Sequence, residues 1–357
     1  MLPELPFPGF DPFFQNQLHE WPVPPLMPAR IAAAHRDRYQ VWCVAGTLDA
    51  RLSGSTRRSL GDEALPGVGD WVVVAPPAAP ADVAVIRGVL ERRTVFVRAA
   101  AGRAARPQVV AANVDRVFVV FGLDAGANLH AIERYLARVW AGGAEPQVVL
   151  NKADLAPDAA AAAAEVEGRC PGLPVHVVSA LAADGLDGVR AAIPPGCTVA
   201  LVGPSGAGKS TLANALLGED RLATGAVRAD ARGRHTTTRR ELVLLPGSGI
   251  LLDTPGMREL EVVDDAGLDA VFEDIAELAQ GCRFGDCRHL TEPGCAVRDA
   301  VDAGALDPDR LEHYRKLERE AAAFQRRHDA RARRQEARLW GQLEREVRQQ
   351  RRWKEGE

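Results

Sequence analysis

The chain has 357 residues, of which 46% are hydrophobic and 26% charged, and its formal net charge is −4. That length predicts two or three domains at about 150 residues each. The charge by itself neither favours nor excludes a nucleic-acid partner, and no apolar run approaches the roughly 18 residues of a membrane span, so no membrane partner is expected. The opening MLPELPFPGFDPFF carries neither the basic start nor the apolar stretch of a secretory signal, which predicts a cytoplasmic protein.

Residues 1–36, rich in Pro and aromatic side chains without a clear period, read as an N-terminal extension lying against a larger body. From Tyr39 the pattern changes to short alternating runs, YQVWCVAG, ARLS, DWVVVAP and AVIRGVLERRTVFVR, separated by Gly, Pro and Asp. Such spacing predicts a small all-β barrel of the OB type over 37–106. Arg57, Arg58, Arg87, Arg92, Arg93, Arg98, Arg103 and Arg106 enrich this third in positive charge, and Arg326 to Lys354 is a second basic stretch. Both are either contacts for a polyanion or the mark of an Arg-rich composition.

After Pro107 strands and helices alternate. DRVFVVFGL, PQVVLN, PVHVVSA and CTVALVG read as buried strands, LHAIERYLARVWAG as an amphipathic helix, the tract Ala159 to Ala164 as part of another helix, and ELVLLPGSGILLDTPG as two more strands. This is the pattern of a doubly wound α/β sheet, placed at 107–262. A helical segment with clustered cysteines follows at 263–320, then a basic helix or tail at 321–357 that docks on RNA or protein or stands as a charged tail.

The chemistry-bearing loops fall at the ends of the predicted strands, where open α/β sheets bind ligands. Asn151-Lys152-Ala153-Asp154 follows PQVVL. As N-K-x-D, its Asp154 carboxylate accepts from the ring N1–H and exocyclic amine of guanine, a pair that adenine does not offer. Lys152 would lie along the base, and Asn151 would tie the loop to the phosphate loop. Ser179-Ala180 closes the next strand and supplies a backbone N–H from Ala180 for guanine O6. Each short match alone is weak, because NKAD also fits a strand-to-helix turn capped by Asp. The joint occurrence carries the reading.

Gly203-Pro204-Ser205-Gly206-Ala207-Gly208-Lys209-Ser210 matches G-x-x-x-x-G-K-[ST] without a mismatch. Its backbone N–H groups would cradle phosphates, Lys209 would reach the β and γ groups, and Ser210 would take a Mg2+ site, with Thr211 beside it on the helix N-terminus. Downstream, GRHTTT over 233–238 is either a polar surface loop or a switch loop whose Thr237, with Thr236 as the alternative, binds Mg2+. Asp253-Thr-Pro-Gly256 ends the strand GILL; Asp253 would hold Mg2+ through water and the Gly256 N–H would contact the γ-phosphate. The order is base loop, second base loop, phosphate loop, switch I, switch II, a guanine-nucleotide site in circularly permuted order. Met257 stands where a water-orienting Gln is common, and a thioether cannot orient water. Slow intrinsic hydrolysis is therefore expected, with His235 as the candidate catalytic group once a partner orders the loop.

Six cysteines are unevenly spread: Cys43, Cys170 and Cys197 stand alone, whereas Cys282, Cys287 and Cys295 crowd into fourteen residues with His289. Three thiolates and one imidazole form the donor set of a closed structural Zn2+ site, one ion per chain, with no open position for catalysis.

With NKAD, SA, GPSGAGKS, GRHTTT, DTPGMRE, CRFGDCRHLTEPGC and LEHYRKLERE in that order, the chain resembles the ribosome small-subunit-dependent GTPase A family (RsgA, also called YjeQ) over roughly residues 38 to 320. The resemblance implies an N-terminal OB-fold, a circularly permuted P-loop GTPase domain and a C-terminal zinc domain. It also implies hydrolysis of GTP to GDP on the 30S subunit late in its assembly, with 16S rRNA bound, and a monomer is expected. Other readings are a GTP-regulated RNA-binding module, a large-subunit permuted GTPase, and a P-loop kinase. NKAD argues against the kinase, and the cysteine cluster after switch II argues against the large-subunit GTPase.

Overall fold

The structure is a computed structural model that describes residues 9–21, 26–35, 38–60, 65–77, 79, 82–99, 107–219, 241–247, 249–253, 266–323 and 326. The chain divides into two compact units, Met1–Glu261 and Val262–Glu357.

The first unit begins with helix α1 (Pro12–Gln17), started by Asp11, whose carboxylate accepts from Phe13 N at 3.0 Å. Strands β1 (Met27–His35), β2 (Arg38–Cys43) and β3 (Gly46–Leu52), helix α2 (Gly54–Leu60), and strands β4 (Trp71–Ala75) and β5 (Ala84–Val89) follow. They close in the order β1-β2-β3-β5-β4, with β4 pairing back on β1, so the barrel has no free edge. Along β4, Val72 and Val74 point into a core with Ile31, Val41 and Ile86, while Trp71 and Val73 point out against Phe14, Leu18 and Leu90. The period of two in β4 thus builds the barrel interior with one face and seats the N-terminal segment with the other.

Two elements differ from the expectation. The first barrel strand, β1, uses residues 27–35, which the sequence reading places in the extension. PARIAAAH is buried over six successive positions, so it shows none of the alternation that marks a half-exposed strand. The run TVFVR leaves the barrel: β6 (Val95–Ala99) pairs with β7 (Pro107–Ala112) in a separate two-stranded sheet.

The α/β part comprises β8 (Arg116–Gly122), α3 (Leu129–Ala141), β9 (Glu145–Asn151), α4 (Ala159–Arg169), β10 (Val175–Val177), α5 (Leu186–Ala191), β11 (Thr198–Val202), α6 (Lys209–Leu217), β12 (Glu241–Leu244) and β13 (Ile250–Asp253). In space the strands run β10-β9-β8-β11-β13-β12, all parallel except β12. Leu186 and Val189 of α5 and Leu212 and Leu216 of α6 pack with Phe118, Val120, Val149, Val199 and Leu251 on one face. Tyr135 of α3 meets Phe121, the next outward residue of β8, on the other. The barrel and this sheet are continuous, because Ala33 of β1 pairs with Glu241 of β12, which pairs in turn with Asp253 of β13.

A buried guanidinium joins the two parts. Arg30 of β1, 2% exposed, donates from Nε to Gly69 O (3.3 Å) and from Nη2 to Asn113 O (3.0 Å) and Thr198 Oγ1 (2.7 Å). It lies over the Trp71 ring, and burial lowers its pKa to about 10, which leaves it charged at neutral pH. Arg30→Met keeps the volume but strips a partner from three acceptors. The variant is expected to lose about 3–5 kcal/mol of stability, read from urea denaturation, because removing one member of a buried polar network leaves the others unpaired.

The second unit holds α7 (Ala266–Val271), α8 (Glu273–Ala279), α9 (Ala296–Asp302) and α10 (308–323). Leu268, Phe272, Ile275, Val297, Leu311 and Leu317 are among its buried apolar residues. Arg310 of α10 ties the unit to its first helices: it donates to both Asp274 oxygens (2.6 and 2.8 Å) and to Val271 O (3.0 Å), over the Phe272 ring.

Candidate guanine-nucleotide site and metal centre

The phosphate loop runs from the end of β11 to the start of α6, and its shape depends on two glycines. Gly203 has φ +138°, and a Cβ there would lie 2.1 Å from Val120 O. Gly208 has φ +87°, and a Cβ would lie 2.3 Å from Asn151 Nδ2. Only glycine permits both the left-handed backbone and the close approach. Lys209, Ser210 and Thr211 open α6, so its free N–H groups face the loop. Lys209 Nζ donates to Gly203 O (2.9 Å) and Pro204 O (2.6 Å), which places the ammonium across the loop.

Asn151, the last residue of β9, joins three loops. It is 2% exposed; its Nδ2 donates to Ala207 O of the phosphate loop at 3.0 Å, and its Oδ1 accepts from Ala180 N at 3.0 Å. The tie to the phosphate loop is the one the sequence assigns to Asn151. The Ala180 N–H is expected from the sequence to serve guanine O6; in the structure it donates to Asn151, because the loops ending β9 and β10 come within side-chain reach. Ser179 Oγ donates to Asp154 Oδ1 at 2.5 Å, which orients the carboxylate. Lys152 adopts a left-handed backbone with φ 63°.

Asp253 ends β13, on the same edge as the ends of β9, β10 and β11. His235, Thr236, Thr237, Gly256 and Met257 lie outside the described residues. Nucleotide and phosphate loops thus share one edge of one sheet, and within the α/β part β11 is central, with β8, β9 and β10 on one side and β13 and β12 on the other.

In the second unit the donor atoms of Cys282, Cys287, His289 and Cys295 lie within 4.8 Å of one another. Cys282 and Cys295 sulfurs are 3.9 Å apart, and His289 Nδ1 is 3.6 Å from the first and 3.4 Å from the second. A tetrahedral ion with bonds of about 2.3 Å to sulfur and about 2.0–2.1 Å to nitrogen has edges of about 3.8 and 3.6 Å. The four residues therefore fit one metal ion. The sequence does not single out Glu292, whose carboxylate accepts from the N–H groups of Arg288 (3.2 Å), Leu290 (2.8 Å) and Thr291 (2.9 Å) and so fixes the turn that carries His289. Its own backbone N–H, together with those three, holds its pKa down to about 2.

A family profile described as RsgA GTPase matches residues 89–263. The chain is 46% identical over 346 residues to a small ribosomal subunit biogenesis GTPase RsgA of Opitutus terrae, covering 94% of each chain. It is also 46% identical to a protein of the same name from Streptomyces coelicolor, covering 91% of this chain and 88% of that one. Among solved structures, YjeQ from Thermotoga maritima superposes with a TM-score of 0.64 at 25% identity, over 83% of this chain and 99% of that one. YloQ, described as a circularly permuted GTPase, gives 0.61 at 25% identity over 84% and 96%.

Proposed function

Because the chain belongs to the RsgA GTPase family and is a GTP hydrolase, we propose that it acts in the biogenesis of the small ribosomal subunit. In this reading the 30S subunit stimulates hydrolysis and the chain binds 16S rRNA as a monomer in the cytoplasm. The observation that carries the nucleotide reading is the position of Asn151, bonded at once to the phosphate loop and to the loop after β10.

Each residue then has a task. Asp154, oriented by Ser179, accepts from the guanine edge, and Ala180 serves by fixing Asn151. Residues 203–211 bind the phosphates through backbone N–H groups and the dipole of α6. Lys209 exchanges its loop carbonyls for phosphate oxygens when nucleotide enters. Ser210, Thr237 and Asp253 are the residues that would hold Mg2+, which supplies neutralisation of charge on the phosphates. Gly256 donates its N–H to the γ-phosphate, and His235 orients water once the subunit orders switch I. The metal in the second unit is assigned as a structural Zn2+, since four protein donors leave no open position.

Phosphate release from GTP and from ATP, alone and with added 30S or 50S subunits, tests this. A GTP-specific rate that rises at least tenfold, a barrier lowered by about 1.4 kcal/mol or more, with 30S and not with 50S is expected. Equal rates with and without 30S would refute the ribosomal part of the proposal and leave the nucleotide chemistry standing.

A further inference from the structure

Lys152 is held at both ends. Its backbone is fixed in the left-handed region at φ 63°, where a side chain other than glycine is strained. At the tip, Nζ lies 2.6 Å from Oδ2 of Asp124, in the short turn Leu123–Ala125 that follows β8. Between these points the stem crosses Gly122, the last residue of β8: a Cβ there would stand 3.2 Å from both Cδ and Cε of Lys152 and 2.6 Å from Asp124 Oδ1. The lysine is stretched flat over a position where the chain has no side chain. The ammonium in turn holds the Asp124 carboxyl below the usual range.

The side chains of this pair are 27% and 43% exposed, so the ion pair adds little to fold stability. Its effect lies elsewhere. A lysine stem carries several rotatable bonds, and ordering such a side chain during binding lowers affinity by a factor of about two to ten. A stem already stretched avoids that loss.

We propose that Asp124 is a positioning residue for the guanine site: by holding Lys152 Nζ it keeps the lysine stem stretched over Gly122 as an apolar plate on which the base lies. The proposal rests on the reading of NKAD as the guanine loop and adds a residue outside the four motif positions. Asp124 touches neither the base nor the phosphates and acts through Lys152 alone.

The test is a titration of the full chain with fluorescently labelled GDP, competed by unlabelled GDP and ADP. Asp124→Asn is expected to raise the GDP Kd about threefold to fivefold, with Asp124→Glu recovering most of the loss. In a Lys152→Met background, which keeps the apolar stem and removes the ammonium, Asp124→Asn is expected to cost nothing further. The melting temperature without nucleotide is expected to stay unchanged. An unaltered Kd for Asp124→Asn, an equal loss in the Lys152→Met background, or a fall in melting temperature that tracks the affinity would each overturn the proposal. If the wild-type chain binds ADP as well as GDP, the guanine reading itself fails and the proposal with it. Selective GDP binding with an unaltered Asp124→Asn sinks the proposal alone.

Discussion

Asn151→Ala is expected to lower GDP and GTP affinity by at least about a hundredfold and to cost about 2–4 kcal/mol of stability. The side chain is buried, and truncation takes its bond from two backbone groups, Ala207 O and Ala180 N–H. A buried group left unpaired costs about 1–3 kcal/mol. Binding suffers as well as stability, because the same two bonds fix the phosphate loop relative to the loops that carry Asp154 and Ser179. Binding to unfastened loops must first order them. Asn151→Asp, nearly isosteric, is expected to do no better: it keeps an acceptor for Ala180 and sets a carboxylate oxygen against the Ala207 carbonyl. Nucleotide titration and denaturation of both variants check this; affinity retained within tenfold would show that the loops are held by other means.

Removal of the metal is the second large effect. Outside its helices the segment from Cys282 to Cys295 makes few backbone bonds of its own, among them Arg283 N to Gly294 O and Cys287 N to Phe284 O, and it carries exposed Phe284 and Leu290. A loop of this kind has little apolar burial to offset its chain entropy, and metal binding stands in for that burial. Chelation, or Cys282→Ser, is expected to unfold the region around residues 282–295 and loosen α8 and α9, which flank it. The expected readouts are loss of about one metal ion per chain by mass spectrometry and loss of helical signal. GDP affinity is expected to stay within about threefold, because the nucleotide loops are held by the core of the other unit. An unchanged helical signal after complete metal removal would refute the structural role.

Glu292 shows where sequence reading stops in this centre. The ligands are legible because Cys and His at short spacing have few other uses in a chain of this composition. A glutamate three residues past the histidine looks like any surface acid until the turn brings three N–H groups to its carboxylate. The nucleotide site divides in the same way. Asn151, Asp154, Ser179 and the phosphate loop stand out because each motif serves a backbone requirement local to a strand-loop-helix unit. Asp124 carries no such mark, being one more polar residue in a turn.

The sequence by itself determined the glycine-rich loop at the start of α6, the permuted order and the metal donor set. These are local facts: glycines at left-handed positions, a lysine and hydroxyl at a helix start, sulfurs a few residues apart. Tertiary structure alone decided that residues 27–35 are a barrel strand, that β6 leaves the barrel for β7, and that Arg30 meets Thr198 across 168 positions. It also decided that Ala33, Glu241 and Asp253 form one row from barrel to nucleotide sheet. Strand pairing and buried polar contacts join residues far apart in the chain, and which residues meet is set by how the layers close. Local pattern gives a strand its faces; only the closed fold gives it neighbours.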